Sequence, residues 1–95
     1  MRADRLLFSR HSIQRMFERR IISRDVAAAV RGGEVIERYD DDQPFPSALI
    51  LGTASGRPLH VVAAFDDRTN TAYVITCYWP DANEWNDDFR TRRKR

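Results

Sequence analysis

Two histidines and a line of arginines are the residues of this chain best suited to proton transfer beside a phosphate. In FSRHSIQRMFERR, residues 8 to 20, His11, Arg15 and Arg19 stand at i, i+4 and i+8, so a helix carries them as one stripe. Imidazole exchanges a proton near neutral pH, and guanidinium holds a phosphate through paired hydrogen bonds. The second histidine, His60, lies in PLHVVAAF, where burial among aliphatic side chains would require a hydrogen-bond partner. Tyr39, Thr76 and Tyr78 add hydroxyls on strands, and Tyr78 or Trp79 offers a ring on which a base could stack. Each residue also has a plainer reading: a solvated arginine face, a hydrogen-bonded core histidine, aromatics filling a core.

The elements that must position these groups follow from the apolar pattern. Ser9 is a natural N-cap, and the spacing predicts a helix from about residue 10 to 20. Helical periodicity puts Ile13, Met16 and Phe17 on the apolar face and His11, Arg15, Glu18 and Arg19 on the other, with Arg20 in the apolar arc at the helix end. Ser23 caps a second helix in this reading, Gly32-Gly33 end it, and the small residues of DVAAAVR allow close packing. Beyond Gly33, EVIERY, PSALILGT, RPLHVVAAF and TAYVITCYW read as four antiparallel strands separated by turn-rich DDDQPF, ASG and DDRTN. The expected fold class is therefore α+β, an N-terminal helical hairpin packed on a four-stranded antiparallel sheet. DANEWNDDFRTRRKR comes next as a short C-terminal helix or tail anchored by Trp85 and Phe89. Strand register decides whether His60 aligns with Thr76 or Tyr78, or instead with Cys77.

Ninety-five residues favour a single domain spanning 1–95, with a basic tail over 90–95. No apolar run approaches the ~20 residues needed to cross a bilayer, and the expectation is a cytoplasmic protein without membrane contact. Cys77 is the only cysteine, which removes an internal disulfide and a cysteine-rich metal site; it reads as packing. Asp40, Asp41 and Asp42 read as a solvated loop, so no metal and no cofactor is expected. Zinc-ligand spacing, a glycine-rich phosphate loop and a serine elbow are missing. Charge is segregated: residues 1–31 hold eight Arg against three acids, residues 32–89 three Arg against eleven acids, and RTRRKR adds five positive charges. Either a polyanion binds the positive surface, or the blocks pair with one another inside the monomer.

The order helix, helix, four strands, with SRHSIQRM near the start, RPLHVV in the third strand and VITCYWPDANEW in the fourth, resembles a bacterial family grouped as domain of unknown function 4258. The resemblance spans about residues 8 to 86. That family is placed by similarity among RelE-like folds, which include messenger-RNA-cleaving toxins and other metal-independent ribonucleases. It implies two helices on an antiparallel sheet and RNA cleavage, with His11 and Arg15, His60, and Thr76 and Tyr78 at the carried-over positions. The sheet region is poor in lysine where RelE itself carries a lysine and arginine cluster, so histidine would have to supply the proton transfer. The leading expectation is thus a metal-independent endoribonuclease of the toxin type, attacking through the 2′-hydroxyl. His11 and His60 would move protons, Arg15 would steady the phosphate, and Arg19, Thr76, Tyr78 and Tyr39 would hold the RNA; an antitoxin protein would be the partner. The alternative is a noncatalytic RNA-binding or protein-interaction module, or a subunit whose sheet accepts an element of another chain.

Overall fold

The structure, a computed structural model, describes residues 3–94. Strand β1 (Arg5–Phe8) is followed by helices α1 (Arg10–Arg19) and α2 (Ser23–Gly32), then by β2 (Glu34–Tyr39), β3 (Ser47–Ala54), β4 (Arg57–Asp66) and β5 (Thr71–Tyr78). The strands form one sheet in the order β1-β5-β4-β3-β2. β2 to β5 are the four expected antiparallel strands, but β1 is a fifth, running parallel to β5 with Phe8 beside Val74. This corrects the four-stranded antiparallel sheet to a five-stranded mixed one. The N-terminal element is an edge strand, not a helix. RLLF is too short for its alternation to stand out, yet Leu6 and Phe8 pack on the core while Leu7 faces solvent.

Strand alternation gives the sheet two chemically different faces. Ala48, Ile50, Leu59, Val61, Ala63, Phe65, Ala72, Val74 and Cys77 form the face under the helices, together with Met16, Val26, Ala29 and Val30. Their neighbours in sequence, including Leu49, His60 and Tyr78, point the other way. A bulge between Val62 and Ala63 lets Ile75 drop out of the pairing, so both sides of it keep their inward faces. That second face is partly covered by the C-terminal segment, which forms no helix. It runs through turns and closes on one isolated bridge between Trp85 and Arg92. Of the two expected forms, short helix or tail, the described residues take the tail, and Trp85 is its buried anchor.

The two helices do not behave as a self-sufficient hairpin: α1 lies over β5 and α2 over β3 and β4. α2 starts after Ile22, whose side chain makes no cap bond, so the expected Ser23 cap is displaced by one residue and Ser23 is the first helical position. The small residues of α2 do allow close approach. A Cβ built on Gly52 would lie 2.5 Å from the Ala29 Cβ, a distance no methyl tolerates. Ser9 caps α1 as expected, accepting from the Ser12 amide at 3.0 Å, while the Ser12 hydroxyl returns a bond to the Ser9 carbonyl at 2.8 Å.

The docked side of α1 is not the one hydrophobic periodicity selects. Ser12 and Met16 are buried, whereas Ile13 is 55% and Phe17 87% exposed. Two hydrogen bonds at the helix end account for this rotation: Arg19 donates to the Cys77 carbonyl at 2.6 Å, and the Trp79 indole donates to the Arg19 carbonyl at 2.8 Å. Arg20 then closes the helix in the left-handed region at φ 57°, and the Ile21 amide reaches back to the Met16 carbonyl at 2.9 Å. A side chain there costs about 1 kcal/mol relative to glycine.

Two substitutions check this packing in urea unfolding. Gly52→Ala should lower stability by about 1–3 kcal/mol, since α2 must lift from β3. Arg20→Gly should raise it by roughly 0.5–1 kcal/mol. An unchanged midpoint for the first would mean that Ala29 and Gly52 are not in contact.

Candidate functional site

The sheet sorts the candidate residues into two groups that do not meet. His11, Arg15 and Arg19 ride on α1, over the face that carries Val74 and Cys77. His60, Thr76, Tyr78 and Tyr39 belong to the opposite face, as do Leu49 and Leu51. The expected opening of His11 and His60 onto one groove is not seen: His60 is buried while His11 is exposed. His11 borders a cleft of about 350 Å³ with Leu7, Phe8, Tyr73 and Ile75, and His60 does not line it.

His60 is fully buried, and both ring nitrogens are occupied. Register places it opposite Tyr78. The Phe89 carbonyl lies 2.7 Å from Nε2 and can only accept, so Nε2 carries the proton and Nδ1 is left to accept from the Tyr78 hydroxyl at 3.3 Å. The Trp85 ring stands perpendicular to the imidazole, centroids 4.6 Å apart. Burial pushes the His60 pKa below its ordinary value, with the Arg92 charge adding to that and the Phe89 carbonyl and Glu37 opposing it. Both nitrogens of this buried imidazole are thus bonded within the chain.

Around it runs a chain of polar contacts that the sequence alone did not reveal. Arg92 lies over the Trp85 ring at 4.6 Å and grips Glu37 with two bonds, at 2.9 and 3.2 Å. The bond from Arg92 chiefly holds the Glu37 carboxyl below its usual range. Tyr39 donates to the same carboxylate at 2.6 Å, which raises its own pKa, and burial raises that of Tyr78. Thr76, half-buried opposite Val62, takes no part. The period-two placement of Glu37 and Tyr39 in EVIERY was the available signal; their partner, Arg92, is 55 residues away and has none.

On the helix side, neither expected phosphate ligand is free. Arg15 is paired with Glu18 at 2.8 Å, and Arg19 is spent on the Cys77 carbonyl. Three described tail arginines are paired as well, Arg90 with Glu34 at 2.9 Å, Arg92 with Glu37, and Arg93 with Asp87 at 3.3 Å. Charge segregation along the chain is thus partly cancelled in space. Arg10, Arg20 and Arg24 are exposed, and none forms an ion pair or side-chain hydrogen bond among the described residues. Arg10 and Arg20 flank the exposed Ile13 and Phe17 on α1. The acidic loop is internally engaged, Asp40 by Arg38 and Asp42 by Ser47.

These features define a small α+β protein with a clamped helix on one sheet face, a histidine sealed beneath a C-terminal strap on the other, and one helix surface left open. The chain belongs to the family described as Domain of unknown function (DUF4258), whose model matches residues 8–79. No curated protein and no solved structure matches it, and the family model says nothing of a RelE-like fold. No helix among the described residues is long and apolar enough to cross a membrane.

Two measurements check the buried face. Because folding lowers the His60 pKa below its ordinary 6.5, the unfolded chain binds more protons than the native one beneath that pH. Stability should be full above about pH 6.5 and fall as the pH drops below it toward the folded value, by at most ~1.4 kcal/mol per pH unit. His60→Gln should lower the plateau and flatten the slope between about pH 6.5 and 5.5; a slope that survives intact would place the titrating group elsewhere. Burial pushes the Cys77 thiol up to about 11, so it should resist disulfide-exchange reagents at about pH 8 until the protein unfolds.

Proposed function

We propose that this chain is a noncatalytic protein-interaction module working through the outer face of α1. One observation carries the reading: Phe17, 87% exposed on a regular helix, stands one turn from Ile13, also exposed. Single exposed apolar residues are ordinary; an aromatic and a branched aliphatic at i and i+4, turned outward by bonds that fix the helix rotation, make a contact surface. Complete exposure of a phenylalanine gains nothing for the isolated fold.

A ribonuclease of the toxin type is the second reading. It draws on Glu37, Arg92, Tyr39 and Tyr78, which gather cationic and proton-bearing groups on one sheet face beside His60. It ranks lower because His60 is fully buried and does not line the cleft that His11 borders, leaving no pair of imidazoles open to one phosphodiester.

Purified protein mixed with RNA in excess chelator should give no cleavage products. A photo-cross-linking residue at position 17, introduced in the native cells, should give one discrete protein adduct, and the same residue at position 67 none. RNA fragments ending in cyclic phosphate, lost on Tyr78→Phe, would put the ribonuclease first; an equal smear of adducts from both positions would refute the contact surface.

A further inference from the structure

We infer that the occupant of this surface is an acidic amphipathic helix of a partner protein, an inference that rests on the outer face of α1 being the contact surface. At about 100° per residue, Arg10, Ile13 and Phe17 fall within an arc of about 60° and so form one stripe, with Arg20 at the C-cap closing the row. It measures about 15 Å from end to end, nearly three helical turns. Its centre is apolar and its two ends are cationic.

The cations are what distinguish this stripe from an ordinary patch. Most arginines elsewhere in the described chain have acquired a partner: Arg15, Arg38, Arg90, Arg92 and Arg93 a carboxylate, and Arg19 and Arg31 a backbone carbonyl. Arg10 and Arg20 have none, nor have Arg5, Arg24 and Arg68, and of these five Arg10 and Arg20 are the two at the ends of α1. Arg20 also occupies a left-handed backbone position, φ 57°, where glycine is the relaxed choice. A strained site holding a free guanidinium at the end of an apolar ridge suits a carboxylate brought by the same ligand that covers Phe17.

A helix matches this geometry better than the alternatives. Its ridge can interdigitate with the Ile13–Phe17 ridge, placing apolar residues at i and i+4 against them and carboxylates near both ends. A nucleic acid strand would satisfy the arginines but leave Ile13 against water. An extended peptide would lay unpaired backbone amides and carbonyls over the apolar pair, groups that a helix satisfies internally.

The test uses the full chain and three synthetic peptides of about 15 residues. One is helical with a leucine stripe flanked by glutamates, the second has lysines in place of the glutamates, and the third keeps the glutamates but replaces leucine by glycine and serine. Only the first should bind, as followed by fluorescence anisotropy. Phe17→Ser should weaken it by about tenfold or more, as should Arg10→Gln with Arg20→Gln, and binding should weaken as salt rises. Unchanged thermal unfolding of the exposed-site variants shows that they fold. Binding of the lysine peptide in a Phe17-dependent way, with none by the glutamate peptide, would overturn the acidic partner while keeping the contact surface. Glutamate-peptide binding that survives Phe17→Ser would overturn both. A dimer of the free chain that Phe17→Ser abolishes would make a second copy the occupant and overturn the partner helix.

Discussion

The rotation of α1 is the constraint on which the rest of this molecule depends. It is fixed at one end by the Ser9 cap and at the other by two bonds that cross between helix and strand, Arg19 to the Cys77 carbonyl and Trp79 to the Arg19 carbonyl. The Arg19 carbonyl is at the helix end, where no helical partner exists, so the Trp79 bond satisfies a group that burial would otherwise leave unmet. Arg19 contributes its stem to packing as well as its head to bonding, and Arg57 lies on the Trp79 ring at 4.0 Å, closing the corner from outside. With the helix held this way, Ser12 sits against the sheet and Phe17 cannot.

The other face is organised around a histidine rather than a helix. Trp85, the Phe89 carbonyl and the Tyr78 hydroxyl give the imidazole a complete set of neighbours, and Arg92 ties the strap to β2 through Glu37. The energies differ in kind. The Glu37–Arg92 pair is partly exposed and contributes on the order of 0–1 kcal/mol, so it directs the strap more than it holds it. Burial of Trp85 and satisfaction of His60 carry the larger share, because uncovering them would return a large ring to water and break a bond made in an apolar setting.

Much of this was legible in the sequence, and the parts that were not share a cause. The strands β2 to β5 were readable because aliphatic and β-branched residues concentrate in them and turn residues separate them. The Ser9 cap was readable because its chemistry is local. Periodicity located α1 but chose the wrong arc, since it weighs Ile13 and Phe17 heavily and gives no weight to Ser12, which docks by being small, or to Arg19, which docks by hydrogen bonding. β1 was too short to alternate visibly, and its pairing with β5 is a contact across most of the chain. The same holds for Arg92 with Glu37 and for His60 with Phe89: residue types announced the capacity to bond, but only the fold supplied the partner.

This difference between local and remote partners also separates the two faces by their place along the chain. The family model covers residues 8–79, a span that includes Ser9, Arg19, Cys77 and Trp79 and therefore the whole clamp on α1. Trp85, Phe89 and Arg92, which seal His60, fall outside it. The outward presentation of Ile13 and Phe17 is thus built entirely from the matched region, whereas the enclosure of the histidine draws also on the C-terminal strap beyond residue 79. Loss of the strap would open the His60 face to water and leave every bond that sets the α1 rotation in place. The exposed helix surface therefore depends on fewer distant parts of the chain than the closed face does.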